Sequence, residues 1–258
     1  MPARRDLVVG AEACHDREVA TNHAIVALFD LDGTLIRVGD PVHHAAFEHA
    51  TQVVFGAEID ITTLDLAGAV DRHLYDQVAS RLGMAADEAD ARFPEWSAIL
   101  GRYYQLRVDP QDRADWLLPG ATEVLRRLQA AGIALAIATG SIRSVAERKL
   151  VGAGLHEYFP AGAFGDEVSD RAGLVRRALA DATTRYGRRF LAADAVVIGD
   201  TPADIRAARH TGTRVVTVAT GRFHTDELDG HGPDAAFDDL SNTDAVVRAI
   251  RGVTTRPG

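Results

Sequence analysis

The 258-residue sequence has one cysteine, one lysine and no long apolar run. Because Cys14 stands alone, an intrachain disulfide and a cysteine-cluster metal site are both excluded, and a reducing compartment is indicated. No apolar stretch approaches the roughly 18 residues that a membrane-spanning helix needs. The N-terminal segment also lacks the apolar core of a signal peptide. We therefore expect a cytoplasmic protein with no membrane partner, in which residues 1–23 form a flexible extension.

The charge balance excludes a second class of partner. The 28 basic and 37 acidic side chains give a net charge of −9, which argues against general nucleic-acid binding. An anionic substrate therefore needs a local positive site. Lys149 is the only lysine, and all the other residues in this count of 28 basic side chains are arginines. A lysine kept in such a composition indicates a position that arginine does not fill equally well.

The second half of the chain alternates apolar strands with amphipathic helices. Unbroken apolar strands are predicted over 24–29, 133–138 and 195–198, and another strand over 214–219, with helical patterns between them. Strands without polar alternation are typical of a parallel sheet that is covered on both faces. The fold class is therefore predicted as α/β, with a three-layer, doubly wound parallel sheet of Rossmann-like type.

A purely helical segment interrupts this alternation after the first strand. Leu74, Val78 and Leu82 recur at four-residue spacing, with Asp71 as the expected N-cap and Gly83 as the stop. The predicted division is a core of residues 24–39 and 113–258 and an all-helical insertion of residues 40–112. Trp96 and the Tyr103-Tyr104 pair are expected in the core of the insertion. Four basic side chains there are weak candidates for substrate contacts: His43, His44, Arg72 and His73.

Two carboxylates stand at the exit of the first strand. Asp30 and Asp32 are two residues apart, so in extended backbone they point to the same side. Gly33 then allows a sharp turn. Two carboxylates this close repel each other, and ionising both requires a cation beside them, for which Mg²⁺ is suited. The alternative is a surface Asp turn that merely ends a strand.

Two further strands end in polar residues, one in Thr139-Gly140-Ser141 and the other in Gly199-Asp200, with Asp204 four residues beyond. Together with Asp30-x-Asp32, this ordered set resembles the haloacid dehalogenase-like (HAD) hydrolases, in particular their phosphoglycolate-phosphatase-like branch. The match in order and spacing extends over about residues 24–221. The helical insertion resembles the mobile C1 cap of that family.

The resemblance implies roles for the residues at the strand ends. Asp30 would be the nucleophile that forms an aspartyl-phosphate, and Asp32 would be the general acid and base. Thr139 would hydrogen-bond a phosphoryl oxygen, together with backbone N–H groups at the start of the following helix. The expected substrate-binding positions are Gly33, Thr34, Gly140, Ser141 and Arg171.

The resemblance also implies a Mg²⁺ ion as the cofactor. Its ligands would be Asp30, the carbonyl of Asp32, Asp200 and Asp204. For Asp204 a second interpretation stays open, because Thr201-Pro202-Ala203-Asp204 also fits the start of a helix, with Thr201 as the N-cap.

The family also places a cation, usually lysine, on the phosphoryl group and the nucleophile. The usual Lys-Pro after the third strand is absent here. Lys149 is the first candidate for the role because it is the only lysine. Arg171 is the second candidate, since Lys149 lies about eight residues into its helix, on the order of 12 Å from its start.

The function that these expectations favour is a Mg²⁺-dependent phosphatase, an enzyme acting on a small phosphorylated metabolite. One alternative is a phosphomutase of β-phosphoglucomutase type, which shares the core motifs and differs in the cap. Another is a HAD-fold binding or regulatory protein without turnover, against which the intact set of Asp30, Asp32, Thr139 and Asp200 argues. An aspartate at position 32 excludes the namesake dehalogenases, which carry a tyrosine there. The oligomeric state and the substrate stay open.

Overall fold

A computed structural model describes residues 24–109 and 115–252. The expected N-terminal extension, residues 1–23, lies outside this part of the chain, as does the predicted end of the insertion at residue 112. The described residues contain a six-stranded parallel sheet with the order β3-β2-β1-β4-β5-β6. Its strands are β1 Val26–Phe29, β2 Ala134–Ala138, β3 Ala161–Ala163, β4 Ala195–Gly199, β5 Arg214–Val218 and β6 Ala235–Phe237.

The helices flank this sheet or form the insertion. Three of them follow β1: α1 Pro41–Phe55, α2 Asp71–Arg81 and α3 Ala86–Arg107. The others alternate with the strands: α4 Ala121–Ala130, α5 Arg143–Gly152, α6 Arg171–Arg185, α7 Pro202–Thr211, α8 Thr225–Asp229 and α9 Thr243–Arg251.

Strand β1 lies at the centre, and alternate side chains on it enter different cores. Ala27 and Phe29 belong to one apolar cluster, and Val26 and Leu28 belong to the cluster on the opposite face. Both faces of the sheet are therefore covered by helices, which confirms the predicted three-layer α/β fold. The chain continues to β2 on one side of β1 and returns to β4 on the other, and ligands bind at such a switch point in open α/β sheets.

The insertion has an aromatic core of its own. Trp96 is fully buried, with its ring centroid 4.7 Å from that of Phe47 and 5.1 Å from that of Tyr75. Ile142 and Val145 at the start of α5 are buried in the same cluster, so the insertion and the core share apolar contacts. The predicted helical insertion after the first strand is confirmed, and its bounds at 40 and 112 stay a prediction.

The prediction that Asp71 is the N-cap of its helix is wrong. Helix α2 begins at Asp71, its N-cap is Val70, and no side chain caps it. The backbone N–H groups of Asp71 and Arg72 donate instead to the core carbonyls of Gly140 and Gly165, at 2.8 and 3.1 Å. Tertiary partners thus replace a side-chain cap at this helix end. The expected stop at Gly83 is confirmed, because α2 ends at Arg81 with Leu82 as the C-cap and Gly83 follows with a φ of +74°.

No helix in residues 24–109 and 115–252 has both the length and the hydropathy that crossing a membrane would require.

The aromatic core of the insertion predicts a large effect of Trp96→Ala. The substitution removes a fully buried indole and its hydrogen bond to Thr51, and should lower the free energy of unfolding by about 3 to 5 kcal/mol in urea titrations. The control is Leu106→Ala in the same helix, α3. The Leu106 side chain is 72% exposed, so the free energy of unfolding should change by no more than about 0.5 kcal/mol. Equal stability of the two variants would show that the indole does not hold the insertion together.

Candidate active site

Three buried carboxylates meet at the carboxyl edge of the sheet. Asp30 follows β1, Asp200 follows β4, and Asp204 lies in the first turn of α7. Each offers an oxygen atom, and these three atoms lie within 4.8 Å of one another. Parallel strands bring their carboxyl ends to one edge, so residues 170 positions apart in the chain become neighbours here.

Arg171 supplies the positive charge inside this cluster. It is the first residue of α6, and its Nε donates a hydrogen bond of 2.8 Å to Oδ1 of Asp204. Its Nη2 lies 2.7 Å from the same oxygen and also forms an ion pair with Oδ2 of Asp30. Arg171, the second candidate from the sequence, is therefore the cation in direct contact with Asp30.

Burial and mutual repulsion dominate the electrostatics of the cluster. Burial is the main cause that raises the pKa of Asp30 to about 7, with Asp204 acting in the same direction and the charge of Arg171 opposing both. Burial, with the charges of Asp30 and Asp204, also holds the pKa of Asp200 well above its ordinary value. For Arg171, burial alone would lower the pKa, but the charges of Asp204 and Asp30 outweigh it and raise the pKa.

The chemistry of these groups fits a divalent cation. Three ionised carboxylates and one guanidinium carry a net charge of 1 − 3 = −2, which the raised pKa values of Asp30 and Asp200 show to be costly. Carboxylate oxygens are the ligands that Mg²⁺ prefers. A doubly positive ion would neutralise the remaining charge and allow the carboxylates to stay ionised at neutral pH.

Asp32 lies beside this cluster with a cation of its own. The Nζ atom of Lys149 donates hydrogen bonds of 2.8 and 2.9 Å to the two carboxylate oxygens of Asp32, and Ser141 Oγ adds a third at 3.2 Å. Lys149 is only 1% exposed. Asp30 and Asp32 therefore each have a separate cation, Arg171 for the first and Lys149 for the second.

Gly33 has a spatial reason to be glycine. Its φ of +90° lies in the left-handed region, and a Cβ atom there would lie 2.3 Å from Oδ2 of Asp200. The absent side chain lets the turn after β1 pass directly over Asp200. Thr34, which is fully buried, donates a long hydrogen bond of 3.4 Å to Asp200.

The insertion covers these residues and leaves a cavity of about 210 Å³ between itself and the core. His43 and His44 line the cavity, whereas Arg72 and His73 do not. Arg72 pairs with Asp76 and Asp90 instead. The cap side of the cavity is otherwise largely apolar: Val38, Ile61, Leu66, Ala67, Gly68, Ala69 and Leu74.

The insertion contacts the core through the loop that carries Thr139. The carboxylate of Asp71 accepts a hydrogen bond of 2.8 Å from the backbone N–H of Ile142 and lies 3.1 Å from Nε2 of His43. A Cβ at Gly140 would lie 1.9 Å from the carbonyl oxygen of Ala69, so glycine is needed for this approach.

Most of the site residues predicted from the sequence line one cavity. These are Asp30, Asp32, Thr139, Gly140, Ser141, Lys149, Arg171 and Asp200. Gly33 and Thr34 lie against Asp200, and Asp204 contacts Arg171. Sequence reasoning missed Asp71 and the exposed Arg222 at the rim, because neither belongs to a motif and only the tertiary fold brings them to the cavity.

Comparisons with known proteins agree with this geometry. The family model for haloacid dehalogenase-like hydrolases matches residues 26–212. The phosphoglycolate phosphatase of Rhodospirillum rubrum is 29% identical over 226 residues, covering 83% of this chain and 87% of that protein. A Dickeya dadantii protein named "Probable phosphatase IndB" is 25% identical over 232 residues, covering 90% of this chain and 97% of the relative.

Solved structures share the fold at low identity. The β-phosphoglucomutase of Clostridium difficile superposes with a TM-score of 0.66 at 16% identity, over 90% of this chain and all of that one. A hydrolase from Pseudomonas syringae gives 0.62 at 21% identity, again over 90% of this chain and all of the other. The fold and the site together define a Rossmann-like hydrolase with a helical insertion after the first strand. The chain belongs to the haloacid dehalogenase-like hydrolase family, which confirms the resemblance drawn from its motifs.

The raised pKa values predict how Mg²⁺ stabilisation depends on pH. Without metal, the folded protein binds protons at Asp30 and Asp200 more tightly than the unfolded chain does. That contribution is present at low pH and is lost as the pH rises through about 7, so metal-free stability should fall over this range. Mg²⁺ binds the ionised carboxylates, so it should raise the Tm more at about pH 8 than at about pH 5.5.

The measurement is a thermal melt with chelator and with excess Mg²⁺ at both pH values. Asp200→Asn is the control, and it should show little Mg²⁺ stabilisation at either pH. A Tm increase that is independent of pH in the wild-type protein would contradict this assignment of the metal site.

Proposed function

We propose that this protein is a Mg²⁺-dependent phosphatase that hydrolyses a small phosphomonoester through an aspartyl-phosphate at Asp30. One observation carries the proposal: Asp30 and Asp32 leave the same strand, yet each has a separate cation and separate surroundings. A nucleophile and a proton-transfer group with different tasks require this separation. The curated relatives named phosphatases support the same class of reaction.

In the first step, an oxygen of the Asp30 carboxylate attacks phosphorus. The phosphorus–oxygen bond to the organic group breaks, and Asp32, which enters this step in its protonated form, gives that proton to the departing alkoxide, which leaves as an alcohol. Thr139 is buried at the end of β2 and faces the same cavity, where its hydroxyl holds a phosphoryl oxygen. The backbone N–H groups of Ile142 and Arg143 at the start of α5 do not take part, because they already donate to the carboxylates of Asp71 and Asp166.

In the second step, water attacks the phosphorus of the aspartyl-phosphate. Asp32, now ionised, takes a proton from that water, and the bond between phosphorus and the Asp30 oxygen breaks to release inorganic phosphate. Both residues return to their starting protonation states, so the cycle is complete. Asp30 and Asp200, with the Asp32 carbonyl, would hold Mg²⁺, which would supply positive charge to offset the repulsion between the carboxylates and the phosphate.

The two cations have different tasks in this scheme. Arg171 contacts Asp30, so it is placed to neutralise the phosphoryl oxygens as the bond to Asp30 forms. Lys149 contacts both oxygens of Asp32, so it holds the proton-transfer carboxylate in one orientation. The Lys149 Nζ also lies 3.5 Å from Nδ1 of His43, which brings the insertion to the same point.

The insertion, residues 40–112 in the predicted division, acts as a cap that excludes bulk water and selects the organic group of the substrate. The cavity of about 210 Å³ suits a small phosphorylated metabolite, and His43 and His44 are the basic side chains of the cap that line it. Phosphoglycolate is the first compound to test, because a relative is named for it. Arg222 at the rim offers a positive charge for a carboxylate on such a substrate.

Asp30→Asn should abolish turnover and leave the fold intact, because an amide is a poor nucleophile of nearly the same shape. The measurement is release of inorganic phosphate from phosphoglycolate, a panel of sugar phosphates and an aryl phosphate, with Mg²⁺ or with chelator. Chelation should also remove the activity of the wild-type enzyme. Asp87→Asn, an exposed position in α3, is the matched control and should keep full activity. Phosphate release by a correctly folded Asp30→Asn enzyme would exclude the mechanism.

Removing the charge of Lys149 should lower kcat and do so most for poor leaving groups. Lys149→Met keeps much of the buried volume but leaves Asp32 without its cation, for an expected loss of roughly 30-fold to 1,000-fold in kcat. Because alkyl esters need a proton on the departing oxygen more than aryl esters do, the loss should be larger for alkyl phosphates. Lys149→Arg should restore only part of the rate, since a planar fork replaces a compact ammonium.

The control for this prediction is Arg148→Met, which removes a positive charge one residue away. Arg148 donates to the carbonyl of Val108 and does not line the cavity, so kcat should change little. Equal alkyl-phosphate rates in Lys149→Met and Arg148→Met would show that Lys149 has no role in proton transfer.

A further inference from the structure

Asp204 has no unused acceptor position in this structure. Its Oδ1 accepts from Nε of Arg171 at 2.8 Å, and Nη2 of the same guanidinium lies 2.7 Å away. Its Oδ2 accepts from the backbone N–H of Thr201 at 3.1 Å and from the Thr201 hydroxyl at 2.7 Å. An ionised carboxylate has about four acceptor sites, so protein donors occupy all of them.

Asp200 is a clear contrast within the same cluster. Its side chain accepts a hydrogen bond from Thr34 that is 3.4 Å long and therefore weak. Two glycines, Gly33 and Gly221, leave room beside it, since a Cβ on either would lie 2.3 or 1.7 Å from its Oδ2. Asp200 has oxygen atoms ready for a metal ion, whereas Asp204 would first have to give up charged or buried donors.

The contacts of Asp204 fix the guanidinium of Arg171 in one plane. The guanidinium is a rigid fork, so two contacts on one edge set the direction of the remaining N–H groups. From that position Nη2 also reaches Oδ2 of Asp30. The first turn of α7 in turn anchors Asp204, because Asp204 N donates back to the Thr201 hydroxyl at 3.3 Å. A line of contacts therefore runs from α7 through Arg171 to the proposed nucleophile.

We propose that Asp204 is a positioning residue for Arg171 and not a metal ligand. Resting on the proposed function, this assigns the metal to Asp30 and Asp200, and makes the Asp204–Arg171 pair the element that holds a cation against the phosphoryl group on Asp30. The proximity of Asp204 to the metal cluster is then a consequence of its contact with Arg171.

The test uses variants that keep the charge of the cluster constant. Asp204→Asn alone removes a negative charge and would weaken Mg²⁺ binding through electrostatics, whatever the direct ligands are. The double variant Arg171→Gln/Asp204→Asn removes one charge of each sign. Isothermal titration of Mg²⁺ into this protein, without substrate, should give an affinity close to that of the wild type. Asp200→Asn should lose at least about tenfold, as expected when a ligand is removed.

Inorganic phosphate binding and turnover supply the positioning readout. If Asp204 acts through Arg171, then at saturating Mg²⁺ the double variant should lose no more phosphate affinity and no more kcat than Arg171→Gln alone. Independent roles would instead make the losses of the two single variants add.

Thr201→Val is the control for a purely structural effect of weakening the first turn of α7. This variant removes the hydroxyl that anchors the first turn of α7 and keeps the Asp204 carboxylate, so its Tm reports the cost of weakening that turn. Mg²⁺ affinity in Thr201→Val should stay close to wild type. The proposal is overturned if the charge-matched double variant loses Mg²⁺ affinity to the extent that Asp200→Asn does. Absence of phosphomonoester hydrolysis by the wild type would instead remove the proposed function, while the Mg²⁺ titrations would still decide the role of Asp204.

Discussion

The site depends on the cost of burying several carboxylates together. Asp30, Asp200 and Asp204 are each at most 6% exposed, and like charges at such distances cannot all stay ionised without compensation. Arg171 provides part of that compensation, and a divalent ion would provide the rest. The uncompensated negative charge is what makes this edge of the sheet suited to a divalent cation. Asp32 escapes the problem because Lys149 neutralises it separately.

The sheet topology creates this concentration of charge. Strand β1 is central, β2 and β4 flank it in parallel register, and their carboxyl ends carry Asp30, Thr139 and Asp200. Small residues allow the close approach, since Gly33 lets its turn pass over Asp200 and Gly140 lets the cap loop approach the core. The cap then adds His43 and Asp71, whose contacts reach Lys149 and the start of α5. Residues of the insertion therefore enclose the polar side chains that the core brings together at the strand ends.

Much of the fold could be predicted because its strands are buried on both faces. Runs such as Ile133–Ala138 have no polar alternation, and each ends in a polar motif, so the strand, its burial and the site at its end were all visible in the sequence. β6, Ala235–Phe237, was not predicted. It has three half-buried residues at the sheet edge, too few for a periodic signal. The N-cap of α2 was misassigned because its partners are core carbonyls, which only the tertiary structure supplies.

The candidate site was predicted as a set of residues, and less well as a set of contacts. The composition drew attention to Lys149 as the phosphoryl cation, but whether it or Arg171 touches Asp30 depends on where α5 and α6 start relative to β1. Composition also gave no means to tell a metal ligand from a carboxylate that orients an arginine, as at Asp204.

The most direct measurement is an acid-quenched rapid-mixing reaction of the wild-type enzyme with Mg²⁺ and its best substrate, followed by mass spectrometry of the digested protein. Covalent catalysis at Asp30 predicts one added phosphoryl group on the peptide that contains Asp30 during turnover. Turnover with no phosphorylated peptide, or with the phosphoryl group on another residue, would contradict it.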